Sequence, residues 1–186
     1  VAGKLSLSSI SQQIYKTFLS IRFMAEKKES DLEKLKENYK KIEKTHHLPD
    51  FDKLNSEFSI EKIAEFETDF LVREVARIMG EKFSNYLRFV ELILNPVNSP
   101  MFIFSLMKTM GESEKKKLSE IYKELAKIEL NLIELDVDFS EKKEAEFINN
   151  SYKTWINMKK DFQEVIEKIK ANWDNKSDNN SKAYFG

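Results

Sequence analysis

Apolar residues in the first quarter of the chain recur in an alternating rhythm of four and three. Ile14, Phe18, Ile21, Ala25, Leu32, Leu35, Tyr39 and Ile42 keep the count, with Lys28 as the one polar member. This spacing holds side chains on one stripe of an α-helix and scatters them over both faces of a strand. It predicts a helix from about Ser9 to about Thr45, capped by Ser8 or Ser9. His46-His47-Leu48-Pro49-Asp50 ends it, because the residue before a proline is pushed out of the helical region. A linker is expected from there to about Glu57. The rhythm returns in Ile148, Tyr152, Trp155, Lys159, Phe162, Ile166, Ile169 and Trp173, predicting a second long helix over 141–173 behind a Ser140 cap.

Breakers are too few for a strand-and-turn fold: the 186 residues hold 4 Gly, 3 Pro and no Cys. A disulfide scaffold is excluded, and the length suits one domain. Between the two seams, Ser59 reads as the N-cap of a helix from Ile60 to Met79, with Gly80 as its stop. A short helix follows over 81–94. Ser99-Pro100 opens a further helix, Met101 to Met110, which is apolar nearly all round and so belongs at the centre of the core or under a partner. Ser113 caps a helix over 114–135, and residues 136–139 make a short turn.

The expected fold is all-α: a bundle of about six helices, three of them long (9–45, 114–135, 141–173). The last two form an antiparallel hairpin along which the first helix lies. Residues 1–173 are read as a single helical domain. The seam of its first helix either packs internally, the favoured arrangement, or protrudes and pairs with another chain. Residues 174–186, rich in Asn, Ser, Lys and Asp, read as a disordered tail.

Charge excludes some functions. Lys plus Arg is 31 against 32 Asp plus Glu, so there is no basic excess of the kind a dedicated nucleic-acid binder carries. The Lys115-Lys116-Lys117 and Lys159-Lys160 clusters read as solvated surface. The most apolar stretch, Tyr86 to Met110, is interrupted by Arg88, Glu91, Pro96, Pro100 and Lys108, so no membrane span is expected and the cytoplasm is the favoured compartment.

Motifs with chemistry are scarce. Glu43-x-x-His46 is half of a di-iron carboxylate pattern, but the only other histidine is His47, so the second Glu-x-x-His does not exist. His46, His47 and Asp50 diverge at a helix end and make no better zinc site. No metal or other cofactor is expected. There is no Gly-x-Ser-x-Gly elbow, no glycine-rich phosphate loop and no Asp-Asp-x-x-Asp pattern. Glu61, Glu65 and Asp69, one turn apart on the expected helix, and Glu144 read as exposed, ion-paired carboxylates. The expectation is a protein without catalytic residues.

Two groups remain as candidate sites. Arg73, Arg77 and Arg88 are three of only four arginines, and could together grip a carboxylate or phosphate. The competing and favoured reading pairs them internally, Asp69 with Arg73 and both Glu74 and Glu81 with Arg77. Met101, Phe102, Phe104 and Met107 are the candidate partner-binding residues, set against an ordinary core helix as the favoured reading. The leading functional expectation is a helical interaction or scaffolding protein with a protein partner, a second copy of itself included. It would act through the first helix and the Met101–Met110 region. A bundle holding a small anion at the arginines, or an accessory nucleic-acid subunit using the lysine runs, are the alternatives.

Overall fold

The structure is a computed structural model that describes residues 7–183 apart from 98 and 109; within it, the side chains of 7–21, 23–26, 28 and 174–183 lie outside the description. The described chain is an all-α bundle of seven helices without strands. The helices are α1 (Leu7–His46), α2 (Phe51–Phe58), a 3-10 helix (Ile60–Glu65), α3 (Leu71–Leu94), α4 (Met101–Met107), α5 (Glu112–Val137) and α6 (Glu141–Ala183).

α1 ends where the proline rule places it. His47 takes a left-handed conformation (φ 52°), and the Leu48 N–H donates to the Glu43 carbonyl at 3.1 Å, the usual way a helix is closed. The Tyr39 hydroxyl donates to the Pro49 carbonyl at 2.7 Å and pins the corner. The expected linker is a helix instead. The Asp50 carboxylate accepts from the N–H groups of Asp52 and Lys53 (3.1 and 3.3 Å), and the α2 that this starts buries Phe51, Leu54 and Phe58.

The helix expected over Ile60 to Met79 is broken in two. Ser59 is left-handed (φ 57°, ψ 49°) and closes α2 by donating to the Asn55 carbonyl at 2.8 Å, rather than capping the 3-10 helix through its side chain. Beyond that 3-10 helix the backbone is extended at Phe66, and α3 starts only at Leu71. Gly80 does not stop α3. It is buried in mid-helix, where the Leu132 side chain of α5 comes so close that a Cβ would lie 2.9 Å from Leu132 Cδ2. The two expected helices 60–79 and 81–94 are therefore redrawn as one short 3-10 piece and one 24-residue helix. Ser113 is likewise not the cap of α5. The helix starts behind Gly111, whose N–H donates to the Glu114 carboxylate at 2.9 Å.

α3 is the hub. It packs most extensively on α5, then on α6, and also meets α1, α2, α4 and the 3-10 helix. Lys117 near the start of α5 pairs with Asp161 and Glu164 in the middle of α6 (2.9 and 2.7 Å), and Glu114 pairs with Lys168 (2.8 Å). The seam of α6 is buried at Ile148, Trp155, Phe162 and Ile169. α6 continues past Trp173, its expected end, to Ala183. Its side chains beyond Trp173, where the tail was expected, lie outside the described residues.

Of the α1 seam, Leu35 and Tyr39 are buried and Leu32 and Ile42 half-buried; Ile14, Phe18, Ile21, Ala25 and Lys28 lie outside the described side chains. Among the described residues α1 packs on the 3-10 helix, α2 and α3 rather than along α5 and α6. Its contact with α6 is at its end: His46 Nε2 lies 2.9 Å from Glu141 Oε1, and Asn149 Nδ2 donates to the His46 carbonyl at 3.3 Å.

Candidate functional site

The three arginines do line one groove. It lies between α3 and α5, holds roughly 780 Å3, and is lined also by Glu81, Glu129, Asp136 and Glu144. Arg73 is already engaged. Its Nε donates to Glu144 Oε1 at 3.2 Å, and its guanidinium lies 3.5 Å above the Phe139 ring and 5.4 Å from that of Phe70. Its partner is Glu144 of α6, not the expected Asp69. Glu144 is also not an exposed carboxylate, being 5% exposed. Burial pushes its carboxyl above the ordinary value, and the Arg73 hydrogen bond opposes that push. Arg77 donates through Nε to Glu74 at 2.8 Å and pairs with Glu81, the two partners expected from spacing. These pairs raise its pKa, with the Glu74 hydrogen bond first. Only Arg88 has no polar partner among the described residues. With three arginines facing four carboxylates, the groove offers an anion little net attraction.

A second polar cluster escaped the sequence reading. The Glu57 carboxylate accepts from Trp155 Nε1 at 2.8 Å and from Lys159 Nζ at 2.7 Å, while Lys82 donates to the Glu57 carbonyl. Burial alone raises the Glu57 carboxyl, but the Lys159 and Trp155 hydrogen bonds outweigh it and hold the group below its ordinary value. Lys82 moves down, chiefly through burial. Beneath lies an aromatic cluster in which Trp155 stacks on Tyr86 (5.3 Å, 15° between planes) and meets Phe58, Phe83 and Phe162 at steeper angles. This cluster joins α2, α3 and α6. Glu57 was placed in a linker, so spacing could not set it against Trp155, 98 residues away.

The remaining candidates resolve into surface pairs. Lys115 pairs with Glu112 (2.9 Å), and Lys117 with Asp161 and Glu164, which raise its pKa. Lys116 and Lys160 stay exposed. Glu61 and Glu65 stand on the 3-10 helix and Asp69 in the loop beyond it, so the three share no α-helical face. Among the described residues no group of three His, Asp or Glu side chains could hold a metal ion, and no helix is long and apolar enough to cross a membrane.

α4 departs most from expectation. It is neither central nor covered. Ile103 is its one fully buried side chain, with Leu106 and Met107 half-buried against the core. At 100° per residue Met101, Phe102, Phe104 and Ser105 fall on the opposite arc. Met101 is 81% exposed, Phe102 52% and Phe104 37%. Of the four candidate partner-binding residues, three face outward and Met107 turns inward. Val97 in the preceding loop (86% exposed) and Leu92 at the end of α3 (40%) extend the apolar surface. Ser99 Oγ donates to the Leu92 carbonyl at 3.2 Å and holds the loop to that helix end. Comparison with protein-family models, curated proteins and solved structures finds no match for this chain.

Proposed function

We propose that the chain is a helical interaction or scaffolding protein that works by binding, not catalysis, and that the outward arc of α4 is its working surface. The observation carrying this reading is the exposure of Met101, Phe102 and Phe104 beside Val97. Large apolar side chains standing singly on a surface are ordinary, but a contiguous group of them marks an interaction site. Phenylalanine and methionine are also the types that interface centres favour, the first for area and the second for adaptability. The arginine groove supports ligand binding less well, because Arg73 and Arg77 already hold carboxylates.

The test is quantitative co-purification with a tagged chain in its native cells, at equal abundance of wild type, Met101→Lys/Phe104→Ser and Ile156→Lys. Ile156 lies on α6, is 46% exposed and lines neither the arginine groove nor the α4 arc, so it controls for a generic surface change. The reading expects at least one component, an untagged copy of the chain included, to be lost with the α4 variant and kept with the control. An identical set from all three sinks it.

A further inference from the structure

We infer that the surface around α4 docks a second copy of this chain through a two-fold interface; this rests on the interaction reading above and names its partner. The first observation is charge. From Leu92 to Met107 sixteen consecutive residues carry none, in a chain that is 34% charged. The exposed apolar side chains Leu92, Val97, Met101, Phe102 and Phe104 all fall in this run.

Absence of charge selects among occupants. A two-fold pairing sets a patch against its own copy, so a patch of one charge sign repels itself and an uncharged one does not. A bilayer-docking face ordinarily rings its apolar centre with Lys and Arg. This run is flanked instead by Arg88 and Glu91 before it and Lys108 after it, without a cluster of bases.

The second observation is area. Weighted by their exposures, the five side chains offer on the order of 500 Å2 per copy. Two copies together then remove about 1,000 Å2 from water, the lower bound for a specific interface. An association of this size is reversible and concentration-dependent.

Sedimentation velocity from roughly 1 to 200 µM covers the micromolar range of a weak, reversible association. The wild-type chain is expected to pass from monomer to dimer across this range. Met101→Lys puts a lysine from each copy into the apolar interface and should weaken the dimer at least about tenfold. Ile156→Lys should leave it intact, and circular dichroism confirms that both variants are folded. A wild-type chain that stays monomeric throughout, or a dimer that survives Met101→Lys, overturns the inference. Flotation with phosphatidylcholine vesicles, with and without phosphatidylserine, supplies the competing outcome. If the wild-type monomer binds them and Met101→Lys does not, the patch is a lipid face. A monomer that still loses co-purifying components on α4 substitution defeats the second copy but leaves the interaction reading standing.

Discussion

The aromatic cluster under Glu57 and the arc of α4 are made of similar residues and end in opposite places. Phe58, Phe83, Trp155 and Phe162 are each no more than 6% exposed, while Phe102 and Met101 are 52% and 81% exposed. The difference is in what stands opposite. α2, α3 and α6 converge on the cluster from three sides. α4 is held by one side only, through Ile103 and its two half-buried neighbours. Hydrophobicity sets what a residue gains from burial; the number of elements that reach it sets whether burial happens.

The widest gap should appear between two alanine substitutions. Trp155→Ala removes a 5%-exposed indole and leaves Glu57 without one of its two donors, so it should cost about 3–5 kcal/mol in urea unfolding. Met101→Ala should stay within about 0.5 kcal/mol, since its side chain is in water already. Similar losses from both would mean that α4 is part of the cooperative core.

A finer contrast lies between two glutamates held differently by the two sides of the bundle. The folded state keeps Glu57 below its ordinary value of 4.5, because the hydrogen bonds from Lys159 and Trp155 outweigh burial. Its contribution is complete above that value and is lost as pH falls through the lower, folded one. Glu144 behaves oppositely. Burial raises its folded value, so the native state takes up the proton first and stability rises as pH falls from the raised value toward 4.5. Urea midpoints over roughly pH 3 to 8 read both effects. Glu57→Gln should flatten the acid-side loss, and Glu144→Gln the gain above it. Slopes unchanged in both variants would refute this assignment.

The narrowest contrast is expected between two substitutions of Gly80. Alanine there recovers about 0.5–1 kcal/mol of helix propensity. It also presses on Leu132, but only on the far end of a half-exposed side chain that can rotate away. Gly80→Ala should therefore change stability by less than about 1 kcal/mol, whereas Gly80→Leu, which cannot be accommodated by one rotamer, should cost more. Equal effects would show that the α3–α5 contact is looser than the Gly80–Leu132 approach implies.

Some of this could be read in the sequence. The rhythm of four and three located α1 and α6, and Pro49 marked the corner between α1 and α2. Glu74 and Glu81 were placed beside Arg77 because helical spacing alone brings them there. The errors concern residues whose local meaning is ambiguous. Gly80 is a stop by propensity, yet it serves a close approach by α5, a neighbour more than fifty residues on. Ser59 is a good cap by type, but its left-handed backbone ends one helix instead of starting the next. α4 looked like core because it is apolar on nearly every side.

Helical periodicity and the scarcity of glycine and proline are properties of the chain read along its length, and they determined the all-α class and the long helices without reference to any neighbour. Which apolar residues are covered is not local. The pairing of Arg73 with Glu144, the meeting of Glu57 with Trp155 and the outward turn of Met101 depend on where α3, α5 and α6 cross. Those crossings are decided by side chains packing across distances in sequence that periodicity does not span, which is why the tertiary structure alone exposed the surface of α4.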